Sequence, residues 1–187
     1  MKLATVYGSP TPPGKMARAL GLIETGVRDR HPAWSAERIG PREPIGPMAA
    51  AWGDNAVEAI AGADAVVLAS PVYRGSITGT LKLLIDLLPA EALRSKPVGI
   101  LTVAAAPQHF LSAERHLRDI LGWFGALTAP NSAFFVDAAF RDDEVDAGVL
   151  ADLGEFADQV VTLAETLNGR RFGPDPLALR HAKKAAG

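Results

Sequence analysis

The feature that most constrains this chain is an alternation. Short apolar runs, each ended by Gly, Pro or a small polar residue, take turns with stretches of helical spacing. The clearest run is ADAVVLA at 63–69, apolar on every residue from Ala65 rather than on every second one. A strand of that kind is covered on both faces, which is the habit of parallel sheets. Residues 3–7 and 98–104 read the same way, 132–136 as a last strand, and 34–39 as a weaker one. Between them, 15–30 carries Met16, Ala19, Leu20 and Ile23 at helical spacing. Helices are expected at 54–61 with Asp54 as N-cap, at 78–88 ended by Pro89, at 108–124, and from Glu144 to about 167. Strand, helix, strand, helix repeated in this way gives an α/β fold, a parallel sheet with helices on both faces. Residues 40–47 (GPREPIGP) read as an irregular loop, and 169–187 as a basic tail, either a mobile arm or a clasp on a partner subunit.

Composition removes several function classes. The 187 residues contain no cysteine, so a disulfide scaffold, a cysteine-ligated metal cluster and a thiol nucleophile are excluded. Lys+Arg 19 against Asp+Glu 21, a net charge of −2, argues against bulk-charge binding to nucleic acid. No apolar run approaches the ~18 residues of a membrane span. The start, MKLATVYGSP, reads as a first strand rather than a leader, so a cytoplasmic chain is expected.

Ligands of open parallel sheets bind at the carboxyl ends of the strands. Three loops lie there. The first, GSPTPPGKM at 8–16, joins a strand to a helix whose opening N–H groups and dipole favour an anion; Ser9, Thr11 and Lys15 add hydroxyls and a positive charge. It is not a Walker A loop: five residues separate Gly8 from Gly14, Met16 follows the lysine, and Pro12 and Pro13 lack N–H groups. G-x-G-x-x-G and G-x-S-x-G are absent, and Gly8-Ser9-Pro10 stands where a receiver domain has carboxylates. The second loop, SPVYRGSITG at 70–79, offers Tyr73 as an aromatic face and Arg74 as a charge for an anionic ligand. The third, AAAPQH at 104–109, is small enough for a flat ring to approach the backbone. Together they describe a site for a planar, phosphorylated ligand. His109 and His116 are seven apart on one expected helix, without the partners a metal site needs.

Two stretches, GSPTPPGKMARAL at 8–20 and SPVYRGSITGTLKLLIDLLP at 70–89, resemble the flavodoxin-like NAD(P)H-dependent FMN reductases. The chain is most similar to those that feed reduced flavin to two-component alkanesulfonate monooxygenases. The second stretch is the more specific: a P-V-Y-Lys/Arg turn, then G-x-L-K and a Leu-rich helix ended by proline. The resemblance implies a three-layer sandwich around a five-stranded parallel sheet of order 2-1-3-4-5. It implies FMN as flavin and NADPH or NADH as reductant, with the nicotinamide C4 about 3–3.5 Å from flavin N5. Ser9, Thr11, Lys15 and the amides near Met16 would bind the FMN phosphate. Pro71, Val72, Tyr73 and Arg74 would flank the isoalloxazine, and Ala104, Ala105 and Ala106 would lie against its other edge. No side-chain catalyst is expected, because the cofactor carries the reaction.

Departures from the family pattern are visible. Gly14, Met16 and Ala17 stand where hydroxyl residues are usual, Thr11 where Arg is usual, and Ala104-Ala105 where glycines are usual. Looser FMN binding and a reshaped third loop are therefore expected. Some members carry a π-bulge used in tetramer packing; the corresponding place here is Arg115-His116. A homodimer or homotetramer is expected, with the 81–88 helix in its interface. Three readings stay open in this order: a reductase handing reduced FMN to a flavin-dependent monooxygenase, a flavoenzyme with bound FMN reducing quinones or other small acceptors, and a non-enzymatic electron carrier.

Overall fold

A computed structural model describes residues 1–41, 52–53, 55–141 and 144–185. Its elements are β1 (Lys2–Tyr7), α1 (Lys15–Arg30), β2 (Ser35–Ile39), α2 (Asn55–Ala61), β3 (Ala65–Pro71) and α3 (Gly79–Leu87). Then come β4 (Pro97–Ala104), α4 (Ser112–Phe124), β5 (Leu127–Thr128), β6 (Ala133–Val136), β7 (Phe140–Arg141), β8 (Glu144–Val145), α5 (Ala147–Leu167) and α6 (Leu177–Ala185). The expected cap Asp54 and most of the 40–47 loop lie outside the described residues.

The main sheet is parallel throughout, with β2, β1, β3, β4 and β5 side by side, so the flavodoxin-like order is present. Its fifth place is shared. β5 pairs with the start of β4 (Pro97↔Leu127), and β6 pairs with its end (Leu101↔Ala133 to Ala104↔Val136). The expected single last strand is thus two short ones. Pro130 cannot donate to a ladder, and the side chain of Gln159 takes over the pairing of Asn131, bonding its N–H (3.1 Å) and its carbonyl (3.0 Å).

Side chains alternate across β3 and β4 into two cores. Val67 and Leu101 join Leu20, Ile23 and Val160 of α1 and α5. Val66, Leu68 and Ile100 join Ile60, Leu84, Leu117 and Leu121 of α2, α3 and α4 on the other face. Both faces of β3 are sealed, as its unbroken apolar run requires. Each fully buried Leu or Ile here contributes roughly 1.5–3 kcal/mol of transfer free energy.

Three further elements depart from the sequence reading. The helix expected over 108–124 begins only at Ser112, because Leu111 sits in the left-handed region (φ 64°). His109 belongs to a separate 3-10 turn, Pro107–His109, so it and His116 share no helix face. From Ser112 onward α4 is α-helical without interruption through Arg115 and His116. Glu144 pairs in the β7–β8 hairpin rather than opening the last helix, which Asp146 caps through the N–H of Gly148 (2.7 Å). The tail returns to the body: Ser95 Oγ accepts from the N–H of Phe172 (2.9 Å), and Arg94 pairs with Asp175 (2.7 Å). Among the described residues no helix is long and apolar enough to cross a membrane.

Candidate functional site

β1 ends at Tyr7, and its phenol turns back to hold the loop that follows. Tyr7 OH donates to the carbonyls of Thr11 (3.2 Å) and Pro12 (3.0 Å). Gly8 is required at the strand end: a Cβ there would stand 2.6 Å from the Ala69 carbonyl oxygen and 2.7 Å from Leu81 Cβ. Ser9 Oγ and Thr11 Oγ1 are 2.8 Å apart, and the Thr11 N–H donates to Ser9 Oγ (3.2 Å). α1 then starts without a side-chain cap, since its N-cap is Gly14. The N–H groups of its first turn have no intrahelical acceptor, and they open at the end of the loop. Met16 is buried, with its side chain in the core beneath the loop. Lys15 Nζ stands 4.0 Å from Asp137 Oδ1, both side chains about half exposed.

The second loop is a rigid structure. The Val72 N–H donates to the Val103 carbonyl (2.8 Å). Tyr73 and Ser76 exchange backbone hydrogen bonds (2.9 and 3.0 Å) around Arg74 (φ 53°) and Gly75 (φ 74°). Two successive positive φ values make this a type I′ turn. It throws the Arg74 side chain outward and leaves Tyr73 half-exposed beside the strand ends. Ser70 Oγ accepts from the Thr78 N–H (3.1 Å), and Thr78 Oγ1 caps α3 by accepting from the Leu81 N–H (3.1 Å). Ser76 Oγ and His116 Nδ1, 2.8 Å apart, tie the turn to α4.

The third loop carries no strain. Ala104 is buried at the end of β4, Ala105 is exposed, and Ala106 is extended (φ −150°). None of the three has a positive φ, so alanine fits this backbone where glycine was the family expectation.

The three loops enclose one cleft of about 290 Å³. Ser9, Thr11, Lys15 and Met16 line one side, Pro71, Val72 and Tyr73 another, and Ala104 and Ala105 the floor. Arg74 and Ala106, singled out with them from sequence, do not line it. Among the lining residues that the sequence reading passed over are Tyr7 and Asp137. Position offered a signal for both: each ends a strand or directly follows one at the carboxyl edge of the sheet. The arrangement can seat an anion at the α1 start and a flat ring between Tyr73 and the alanines.

Residues 1–141 match the model of the NADPH-dependent FMN reductase family. The chain belongs to this family. A relative from Geobacillus thermodenitrificans, an NAD(P)H-dependent FAD/FMN reductase, is 36% identical over 107 residues, 56% of this chain and 58% of that protein. The NADH-dependent FMN reductase SfnF of Pseudomonas fluorescens is 36% identical over 89 residues, 48% of each chain. The chain thus spans about half the length of these relatives. An apo NADH:FMN oxidoreductase structure (EMOB) superposes with a TM-score of 0.78 at 26% identity, covering 91% of this chain and 94% of that one. An archaeal flavodoxin, at 11% identity and a TM-score of 0.66, shares the fold over 88% of this chain and 99% of its own.

Proposed function

We propose that this protein is an NAD(P)H-dependent FMN reductase that supplies reduced flavin to a partner monooxygenase. The observation that carries the reading is the convergence of the three strand-end loops on one cleft, with an uncapped helix start at one end and small residues at the other. Family membership and the reductase relatives support it.

The residues fit the group. Ser9, Thr11, Lys15 and the first-turn amides of α1 hold the phosphate. Tyr73 and the backbone of Pro71 and Val72 flank the ring, and Ala104 and Ala105 leave room for its close approach. Arg74 acts from the rim, where it meets an anionic part of an incoming nucleotide. Bound there, FMN would supply the redox chemistry, with the nicotinamide nucleotide as hydride source. The protein's share is to hold the rings in contact and to exclude water from between them. No general base is needed for such a step.

A self-associating face completes the reading. Leu87 is 51% and Trp123 55% exposed on neighbouring helices α3 and α4, beside a groove of about 440 Å³ lined by Ile85, Leu88, Ile120 and Phe124. Leu81, Leu84 and Ile85 are buried within the subunit, so the outward surplus of α3 rests chiefly on Leu87.

The deciding experiment is a visible spectrum of the protein purified without added flavin, then with FMN, then with NADPH or NADH under anaerobic conditions. Colourless protein that binds FMN and bleaches it with reductant is the expected result. Yellow protein that bleaches would move the reading to a flavoenzyme with resident FMN and a small electron acceptor. Failure to bleach would overturn the reductase.

A further inference from the structure

Among the described residues that line the cleft, Lys15 is the one cation and Asp137 the one carboxylate. They stand 4.0 Å apart. These two formal charges offset one another, although a phosphate monoester brings about −1.5 to −2 at pH 7. Beside the α1 amides and Lys15, the first loop adds no second cation. Pro10, Pro12 and Pro13 have no N–H to donate. Of the Ser9 and Thr11 hydroxyls, 2.8 Å apart, one donates to the other, which leaves a single O–H of the pair for a ligand.

Asp137 is firmly held at the mouth. It follows β6 directly and opens the 3-10 turn Asp137–Ala139, closed by the Phe140 N–H on the Asp137 carbonyl. Phe140 is buried and packs edge-on against Phe135 at 5.9 Å. The carboxylate is thus presented to Lys15 by a packed turn.

We infer that Asp137 is a specificity-determining residue: it offsets Lys15 and repels a phosphate, so that the cleft takes a flavin without a phosphate ester nearly as well as FMN. This rests on the reading of the cleft as a flavin site. The consequence is a reductase whose discrimination comes from the ring rather than from the ribityl phosphate. FMN held in this way leaves readily, which suits a protein that hands its reduced flavin on.

The test measures dissociation constants of FMN and riboflavin for the wild-type chain, Asp137→Asn and Asp137→Ser, at low and high salt. Riboflavin shares the ring and lacks the phosphate, so it reports any structural disturbance. In the wild type the two constants are expected to lie within roughly tenfold. Each variant should tighten FMN by roughly three- to tenfold, more at low salt, with riboflavin within about twofold of wild type. Thermal melts identify a variant that has lost its fold, and the second variant then decides. A wild-type preference for FMN above roughly a hundredfold, or an FMN-to-riboflavin ratio unmoved in a folded variant, overturns the role of Asp137 while leaving the flavin site standing. Binding of neither flavin by the wild type overturns the site and this inference together.

Discussion

Thr78 Oγ1 donates a hydrogen bond to the carbonyl of Gly8, joining the first and second loops of the cleft across 70 positions of sequence. The same oxygen accepts from the Leu81 N–H and so caps α3. One buried hydroxyl thus fixes the start of a helix and the spacing of two loop walls. Thr78→Val keeps the shape and removes both bonds, leaving a buried carbonyl unpaired. A loss of about 2–4 kcal/mol is expected from the missing cap and the orphaned acceptor. Thr78→Ser should retain most of that stability. Urea denaturation of both variants checks this, and a stable Thr78→Val beside a destabilised Thr78→Ser would show that the methyl group rather than the hydroxyl matters.

The floor of the cleft offers a separate test of the ligand's position. Ala105 is exposed and unstrained, so Ala105→Phe should leave stability within about 0.5 kcal/mol of wild type. The ring would occupy the space that the flavin is proposed to use. Flavin affinity is expected to fall by at least roughly tenfold, about 1.4 kcal/mol. Titration beside a thermal melt separates the two effects. Unchanged flavin binding would mean that the ring lies elsewhere.

The parts of this fold that were legible in the sequence are those where one physical requirement dominates. AVVLA at 65–69 had to be a doubly covered strand, and the loops after β1, β3 and β4 had to meet at one sheet edge. Legibility failed where a local pattern was overruled by packing. Phe110 stacks edge-on against Phe134 at 5.5 Å and Leu111 takes a left-handed conformation, so the helical spacing over 108–124 starts late. Asp137 carried no motif, only its position directly after a strand. It meets Lys15 across the carboxyl edge of the sheet, although β3 and β4 lie between β1 and β6, and no spacing along the chain marks that approach. Arg74, singled out by type, stands on the turn at φ 53° and outside the cleft lining.

Lys96 predicts a pH dependence of stability. Its ammonium donates to the carbonyls of Ile60 and Ala61, each at 2.7 Å, and so closes the C-terminal end of α2. Burial pushes its pKa from 10.5 down to about 8, with the charge of Asp64 acting in the opposite sense. Between about pH 8 and about pH 10.5 the unfolded chain therefore holds a proton that the folded chain has released. Stability contributed through this group rises with pH across that window, and the cost of burying its charge is fully present below it. Lys96→Met removes the titration. Denaturant midpoints measured across the window should rise less steeply in the variant than in wild type; parallel curves would exclude Lys96 as the source.

The tail yields the last prediction. Asp175 receives Arg94 at 2.7 Å and Lys183 at 2.5 Å, and Pro176 lies against Gly125, where an added Cβ would meet its ring at 3.0 Å. The hydrogen bond from Lys183, aided by the charge of Arg94, holds the Asp175 carboxyl below its ordinary 3.8. A depressed carboxylate pKa contributes stability that is present above the ordinary carboxylate range and lost as pH falls through the lowered value. Arg94 is largely buried, so Asp175→Asn leaves its guanidinium uncompensated. The variant should release the segment that follows Asn168 at neutral pH while the sheet stays intact. Limited trypsin digestion reads this directly: faster cleavage after Arg170, Arg171 and Arg180, with an unchanged melting transition for the core. In wild type, hydrogen exchange followed by mass spectrometry should show tail amides losing protection under acid before those of β3 and β4. Tail amides protected equally in wild type and Asp175→Asn would mean that Pro176 and the Ser95–Phe172 bonds hold the segment without the ion pair.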